Sequence, residues 1–254
     1  MSWSLTSFLV IVALLLFSMA VYAARGKRRD ADAESKNAQF LGGVADFVLH
    51  WFLWLVAPAA TASIRLGLTA DFYNFAGLAF GAVAGLAVAF GQLEVGGWAL
   101  VLSGVCDILD GRIARATGAT SRYGAFIDSL LDRYIELFFF VGFAYFARHS
   151  GPGGVAATLA LGSSILVSYA RAMGESLGVE CTGGLMQRGE RLALLCLGAL
   201  ADPAASAAVG QPKGALLMAV LFLIGATSLA TAVHRTVWIA RRLRTTPRPG
   251  NEVT

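Results

Sequence analysis

Charge is scarce in this chain. Asp, Glu, Lys and Arg make up 14% of its 254 residues and mean hydropathy is +0.66, where an average soluble domain carries about 25% charge. That scarcity excludes an ordinary soluble domain. The net charge of +4 is too small and too dispersed for a nucleic-acid surface, so no nucleic-acid partner is expected. The cysteines, Cys106, Cys181 and Cys196, are odd in number and lack zinc-site spacing, which leaves them as apolar fillers or idle thiols. Low-complexity tracts and internal repeats are also lacking. What remains is apolar sequence in long runs. At roughly 20 residues per span it suffices for about six or seven membrane helices with short loops.

Residues 3–24 form an unbroken apolar stretch, followed at once by Arg25, Lys27, Arg28 and Arg29. A signal peptide would carry its charge before the apolar run, so this stretch reads as an anchor with its amino end outside. Residues 1–40 are therefore an anchor and a polar cytoplasmic linker. Residues 41–64, with Trp51, Trp54 and Pro58, read as an interfacial amphipathic helix whose tryptophans lie at headgroup level. Apolar runs follow at 72–90, 98–116, 124–146, 155–173, around 192–200 and at 214–232, within a membrane region of residues 65–244. Gly77, Gly81 and Gly85 make a small-residue stripe suited to close helix packing. Residues 245–254 read as a disordered tail. The expected fold is all-α: a polytopic membrane bundle of five or six helices beyond the anchor and the interfacial helix. With the amino end outside, every Lys and Arg except Arg148 and Lys213 falls on or at the cytoplasmic side, a positive-inside pattern. Outer loops are expected at 92–97, 149–154 and 202–214.

Against this background four carboxylates stand out: Asp107, Asp110, Asp128 and Asp132. A bare carboxylate in hydrocarbon costs several kcal/mol and needs a compensating charge. Spacings of three and four place each pair on one helix face, and two helices joined by a short turn can bring the pairs together. Carboxylates so close raise one another's pKa, a conflict that divalent cations remove. Oxygen ligands suit Mg²⁺, Mn²⁺ or Ca²⁺. Gly111, Ala114 and Gly124 leave room for a flat ligand or a diphosphate, and Arg112, Arg115 and Arg122 line the same mouth, able to pair with phosphate oxygens. Metals, arginines and small residues at a water–lipid boundary suggest phosphoryl transfer involving a lipid. One intramembrane acid often serves helix packing; four in this pattern point to a site. An ion or proton pathway would instead call for acids near the midplane and broken helices.

The run Asp-x-x-Asp-Gly-x-x-Ala-Arg, eight residues, then Gly-x-x-x-Asp-x-x-x-Asp resembles the signature of the CDP-alcohol phosphotransferase family at every fixed position: Asp107, Asp110, Gly111, Ala114, Arg115, Gly124, Asp128 and Asp132. The resemblance covers about residues 65–240. It implies a six-helix core, usually a homodimer, with a polar cavity facing the cytoplasm and two divalent cations, Mg²⁺ or Mn²⁺. By this likeness Asp107, Asp110 and Asp128 are the main ligands, and Asp132 shares a metal and acts as general base. Gly111, Ala114, Arg115 and Gly124 lie against the CDP group, with Asp71 and Asn74 near the nucleotide.

A second region, Ser168-Tyr169-Ala170-Arg171 with Glu175, then Gly184 to Leu192, is similar to bacterial members of the phosphatidylinositol-phosphate synthase type. It implies CDP-diacylglycerol as donor and a small polyol or polyol phosphate as acceptor, with Arg122, Arg171, Arg188 and Arg191 as candidate acceptor-binding residues; the last three also read as ordinary cytoplasmic-side charges. Two departures stand: Met173 occupies a basic position of that pattern, and Thr69 to Asn74 replaces a Thr-Pro-Asn-x-x-Thr segment. Inositol phosphate, glycerol 3-phosphate and uncharged inositol therefore all stay open. Two alternatives are an aminoalcohol phosphotransferase using CDP-choline or CDP-ethanolamine, and a divalent-cation or proton-coupled transporter. The expected location is a bacterial inner membrane, among its lipids.

Overall fold

The computed structural model describes residues 13, 16–24, 43–181 and 183–245, and regular structure among them is helical throughout. The expected linker, most of the anchor stretch and the tail beyond Thr245 lie outside the described residues. The helices are α1 (16–24), α2 (Gly43–Arg65), α3 (Ala70–Ala89), α4 (Leu93–Thr117), α5 (Arg122–Phe146), α6 (Gly151–Ser176), α7 (Arg188–Ala208) and α8 (Ala215–Thr245).

Four of these, α3, α6, α7 and α8, are long and apolar enough to cross a membrane. Helices α4 and α5 have 25 residues each, about 37 Å at 1.5 Å per residue, more than the roughly 30 Å of hydrocarbon they would span. What lowers their hydropathy is the charge of the aspartate motif. The protein is a polytopic all-α membrane bundle.

Contacts divide the chain into two units, residues 1–80 with 101–132 and residues 81–100 with 133–254. In the first, α2 has two working faces. Phe47, Trp51 and Trp54 share one: the Tyr22 ring of α1 lies 5.6 Å from those of Phe47 and Trp54, and Trp51 Nε1 donates to Ser18 Oγ at 3.0 Å. On the opposite face Val56 and Ala60 pack with Leu109 and Ile113 of α4, joined by Phe52, Tyr73, Val105 and Ile108. Trp51 is only 6% exposed. It is held against α1, where its indole N–H finds a hydroxyl partner within the protein. The Ser63 and Tyr73 hydroxyls share a 2.6 Å hydrogen bond that ties α2 to α3, and Ser103 Oγ donates to the Gly77 carbonyl at 2.8 Å, tying α4 to α3.

In the second unit the glycine stripe permits backbone contact between α3 and α5. A Cβ on Gly81 would stand 2.7 Å from Ile135 Cγ1. A Cβ on Gly85 would strike the Phe138 carbonyl, and one on Gly142 the Gly85 carbonyl. Helix α8 packs along α6 and against α7. Helix α7 continues through Pro203 to Ala208, so the expected outer loop from 202 is shorter than the sequence suggests. The reason is Asp202. Fully buried, it accepts the backbone N–H groups of Gly214 (2.7 Å) and Leu217 (3.0 Å), satisfying orphan donors at the start of α8.

Candidate active site

The motif is delivered by a four-residue turn between Thr117 and Arg122. Gly118 takes φ +68°, which an L side chain resists, and Ala119 N–H bonds the Ala114 carbonyl at 2.9 Å, closing α4. Ser121 Oγ then accepts the Gly124 N–H at 3.0 Å and opens α5. A Gly–Ser turn thus returns the chain within a few residues and lets the aspartate faces of the two helices meet.

They do meet. Carboxylate oxygens of Asp107, Asp110 and Asp128 lie within 4.8 Å of one another. Asp110 is buried, and Asp107 and Asp128 are partly buried. Three carboxylates at this range, in partly desolvated surroundings, favour a bound cation. Their oxygen-only donors fit a hard divalent ion such as Mg²⁺ or Mn²⁺. Asp132, one turn beyond Asp128 and 7% exposed, stands outside the trio.

Gly111 has a clear local reason. A Cβ there would stand 3.2 Å from Nη1 of Arg115, so the missing side chain lets the Arg115 guanidinium lie back over α4. Arg112 departs from expectation. Rather than only lining the mouth with Arg115 and Arg122, it donates from Nη1 to the Leu53 carbonyl of α2 at 2.7 Å. Arg122, the first residue of α5, is exposed; Ala114 and Gly124 are partly exposed. Asp71 is exposed in the first turn of α3, and Asn74 is buried in the next.

Of the candidate acceptor arginines, Arg122 belongs to the first unit and Arg171, Arg188 and Arg191 to the second. Arg171 pairs with Glu175 at 2.7 Å, both about half exposed. Arg188 opens α7 and is partly buried. Arg191 is 1% exposed and donates from Nε (3.1 Å) and Nη2 (2.8 Å) to Glu136 Oε1, while its Nη1 is buried with no hydrogen-bond partner. Two participants escaped the sequence reading. Glu136 had a usable signal, since it continues the Asp128–Asp132 register by four more residues. Arg235 had none, because a basic residue late in the last span looks like a topology charge. It is 4% exposed, donates to the carbonyls of Gly183 (2.9 Å) and Val167 (3.1 Å), and lies in the field of Arg171 and Arg191.

Fold and site together define an integral membrane protein with a cluster of three aspartates that could hold a divalent cation. A profile of CDP-alcohol phosphatidyltransferases matches residues 68–238, and the chain belongs to this family of enzymes. It is 32% identical over 180 residues to the archaetidylinositol phosphate synthase of Methanothermobacter thermautotrophicus, covering 71% of this chain and 87% of that one. To the phosphatidylinositol phosphate synthase of Streptomyces avermitilis it is 34% identical, covering 75% and 80%. Among solved structures, the phosphatidylinositol phosphate synthase of Mycobacterium tuberculosis with CDP-DAG bound superposes with TM-score 0.64 at 28% identity, over 72% of this chain and 92% of that one. The same enzyme with manganese and citrate gives 0.64 at 29%, over 72% and 88%.

Proposed function

We propose that this chain transfers the phosphatidyl group of CDP-diacylglycerol to a hydroxyl of a phosphorylated polyol, inositol phosphate foremost, and releases CMP. The observation that carries the reading is the trio of Asp107, Asp110 and Asp128, set by a motif complete at every fixed position. These residues would hold the divalent cation, with Asp132 contributing to a second. When bound, such cations supply charge neutralisation along the diphosphate and on the departing CMP.

The chain's own groups do the rest. Asp132 takes the proton from the acceptor hydroxyl, whose oxygen forms a bond to the lipid-linked phosphorus as the bond from that phosphorus to the CMP oxygen breaks. Gly111, Ala114 and Gly124 leave space beside the nucleotide, Arg115 offers it a guanidinium, and Asp71 and Asn74 keep polar character near it. Arg171, Arg188 and Arg191, with the overlooked Arg235, offer an acceptor phosphate more positive charge than Glu136 and Glu175 offset. The unpartnered Nη1 of Arg191 is a donor in reserve. That cationic excess favours a phosphorylated acceptor over plain inositol even with Met173 at a basic position of the pattern. In this reading residues 65–244 form the catalytic region of a homodimer in a bacterial inner membrane, its site open to the cytoplasm.

The test is a competition among acceptors. The purified chain, with CDP-diacylglycerol and Mn²⁺, is offered inositol 1-phosphate, glycerol 3-phosphate, inositol and serine, and the lipid product is identified by mass. A phosphatidylinositol phosphate product is expected. A product from serine or plain inositol alone would overturn the role given to the arginines.

A further inference from the structure

Helix α4 carries two functions on opposite faces. At 3.6 residues per turn, Asp107, Asp110 and Ala114 fall within about 60° of one another, while Val105, Leu109 and Arg112 form a second arc of about 60° centred roughly 160° away. The first face supplies two of the three clustered carboxylates, Asp107 and Asp110. The second meets α2 through Leu109, with Ile113 on the flank between the two faces, against Val56 and Ala60, and through the 2.7 Å bond from Arg112 Nη1 to the Leu53 carbonyl. Apolar packing alone lets a helix slide or roll by fractions of an ångström. A charge-assisted bond to a fixed carbonyl is directional and restrains both movements. Pro58 lies inside α2 and cannot donate to the Trp54 carbonyl, so the helix ladder is interrupted at the turn holding Leu53 and Trp54. Arg112 brings an outside donor to that turn.

We infer that Arg112 is a positioning residue for the metal-binding aspartates: by locking α4 to α2 it sets the rotation and height at which Asp107 and Asp110 meet Asp128. The inference rests on the metal reading of the trio. Arg112 follows Asp110 by two residues, so a small roll of α4 about its axis would move both of its carboxylates relative to Asp128. Ser18 and Tyr22 of α1 hold the far face of α2, which makes that helix a braced support for the lock.

Sign separates this role from simple electrostatics. Removing a cation near a metal site should tighten binding of another cation, whereas losing the lock should weaken it. The experiment is a Mn²⁺ titration of the purified full chain in phosphatidylglycerol–phosphatidylcholine nanodiscs, following the electron paramagnetic resonance signal of free Mn²⁺. Outer partners of metal ligands typically contribute 10–100-fold in affinity, so Arg112→Ala should bind Mn²⁺ about tenfold more weakly and Arg112→Lys should recover to within about threefold of the parent. Ala60→Leu, which changes no charge but wedges α2 from α4, should weaken binding in the same direction; it carries the test if Arg112→Ala does not fold. Unchanged or tighter binding in Arg112→Ala, or unchanged binding in Ala60→Leu, would overturn the inference. A parent protein that binds no Mn²⁺ would remove the metal reading itself, and this one with it.

Discussion

Asp132 is buried one turn past Asp128 and outside the close trio, which suits a carboxylate that handles a proton more than one wholly given to a metal. General-base catalysis contributes about 10²–10⁴-fold, so Asp132→Asn should cut kcat by that order. Binding of CDP-diacylglycerol, followed by equilibrium dialysis with Mn²⁺, should stay within about threefold of the parent, because uniform binding and proton transfer are separable. Retained turnover would remove Asp132 as the base. At this scale the sequence was legible where helix periodicity carries information. The spacing of three within α4 puts Asp107 and Asp110 on one face, and Asp128 of α5 joins them once the turn at Gly118 is made, while Asp132, four residues on, stands outside the trio. It was not legible for Arg112, Arg191 and Arg235. Each is a cation beside a span, and which acceptor a guanidinium reaches depends on a neighbouring helix: Leu53 for Arg112, Glu136 for Arg191, Val167 for Arg235.

Helix-to-helix contacts decide the next level. Where α3 and α5 touch at Gly85 and Gly142, the backbone of one helix occupies the space a side chain of the other would need. Gly142→Ala should therefore force the pair apart, at a cost of about 1–3 kcal/mol from overpacking. The measure is a lower thermal midpoint in detergent, read by tryptophan fluorescence. Glu136→Gln tests the buried pair with Arg191. Breaking one partner of such a pair typically costs about 3–5 kcal/mol, because the other charge is left buried and uncompensated. That variant should lose more thermal stability than Gly142→Ala, whereas the double change Glu136→Leu, Arg191→Met should restore much of the loss. The glycine stripe was readable from its four-residue period. The length of α7 was not, because Asp202 and Pro203 look like loop residues and only the N–H groups of Gly214 and Leu217 explain why an acid is buried there.

For the whole molecule, charge distribution carries the topology. The segment between α5 and α6, with His149, should face outward. In a variant whose three cysteines are replaced by alanine, His149→Cys should react with an impermeant maleimide added to intact cells, and a cysteine at Ser121 should react only after lysis. The reverse pattern would invert the orientation. All-α architecture and membrane residence follow from hydropathy alone, yet the motif charges make α4 and α5 read as poor spans although both are long enough to cross. Chemistry is thus written into the bundle at the expense of its hydropathy signal, and in the reading proposed above a divalent cation is required to offset the clustered aspartates. The most direct test of that claim is CMP release from CDP-diacylglycerol and inositol 1-phosphate across a Mn²⁺ titration, for the parent and for Asp110→Asn side by side. The parent should be silent with chelator and rise to saturation with Mn²⁺. Asp110→Asn should stay at least about 100-fold lower at every concentration, since the metal's charge stabilisation is worth several kcal/mol. CMP release that survives chelation, or an Asp110→Asn variant that matches the parent, would contradict the account.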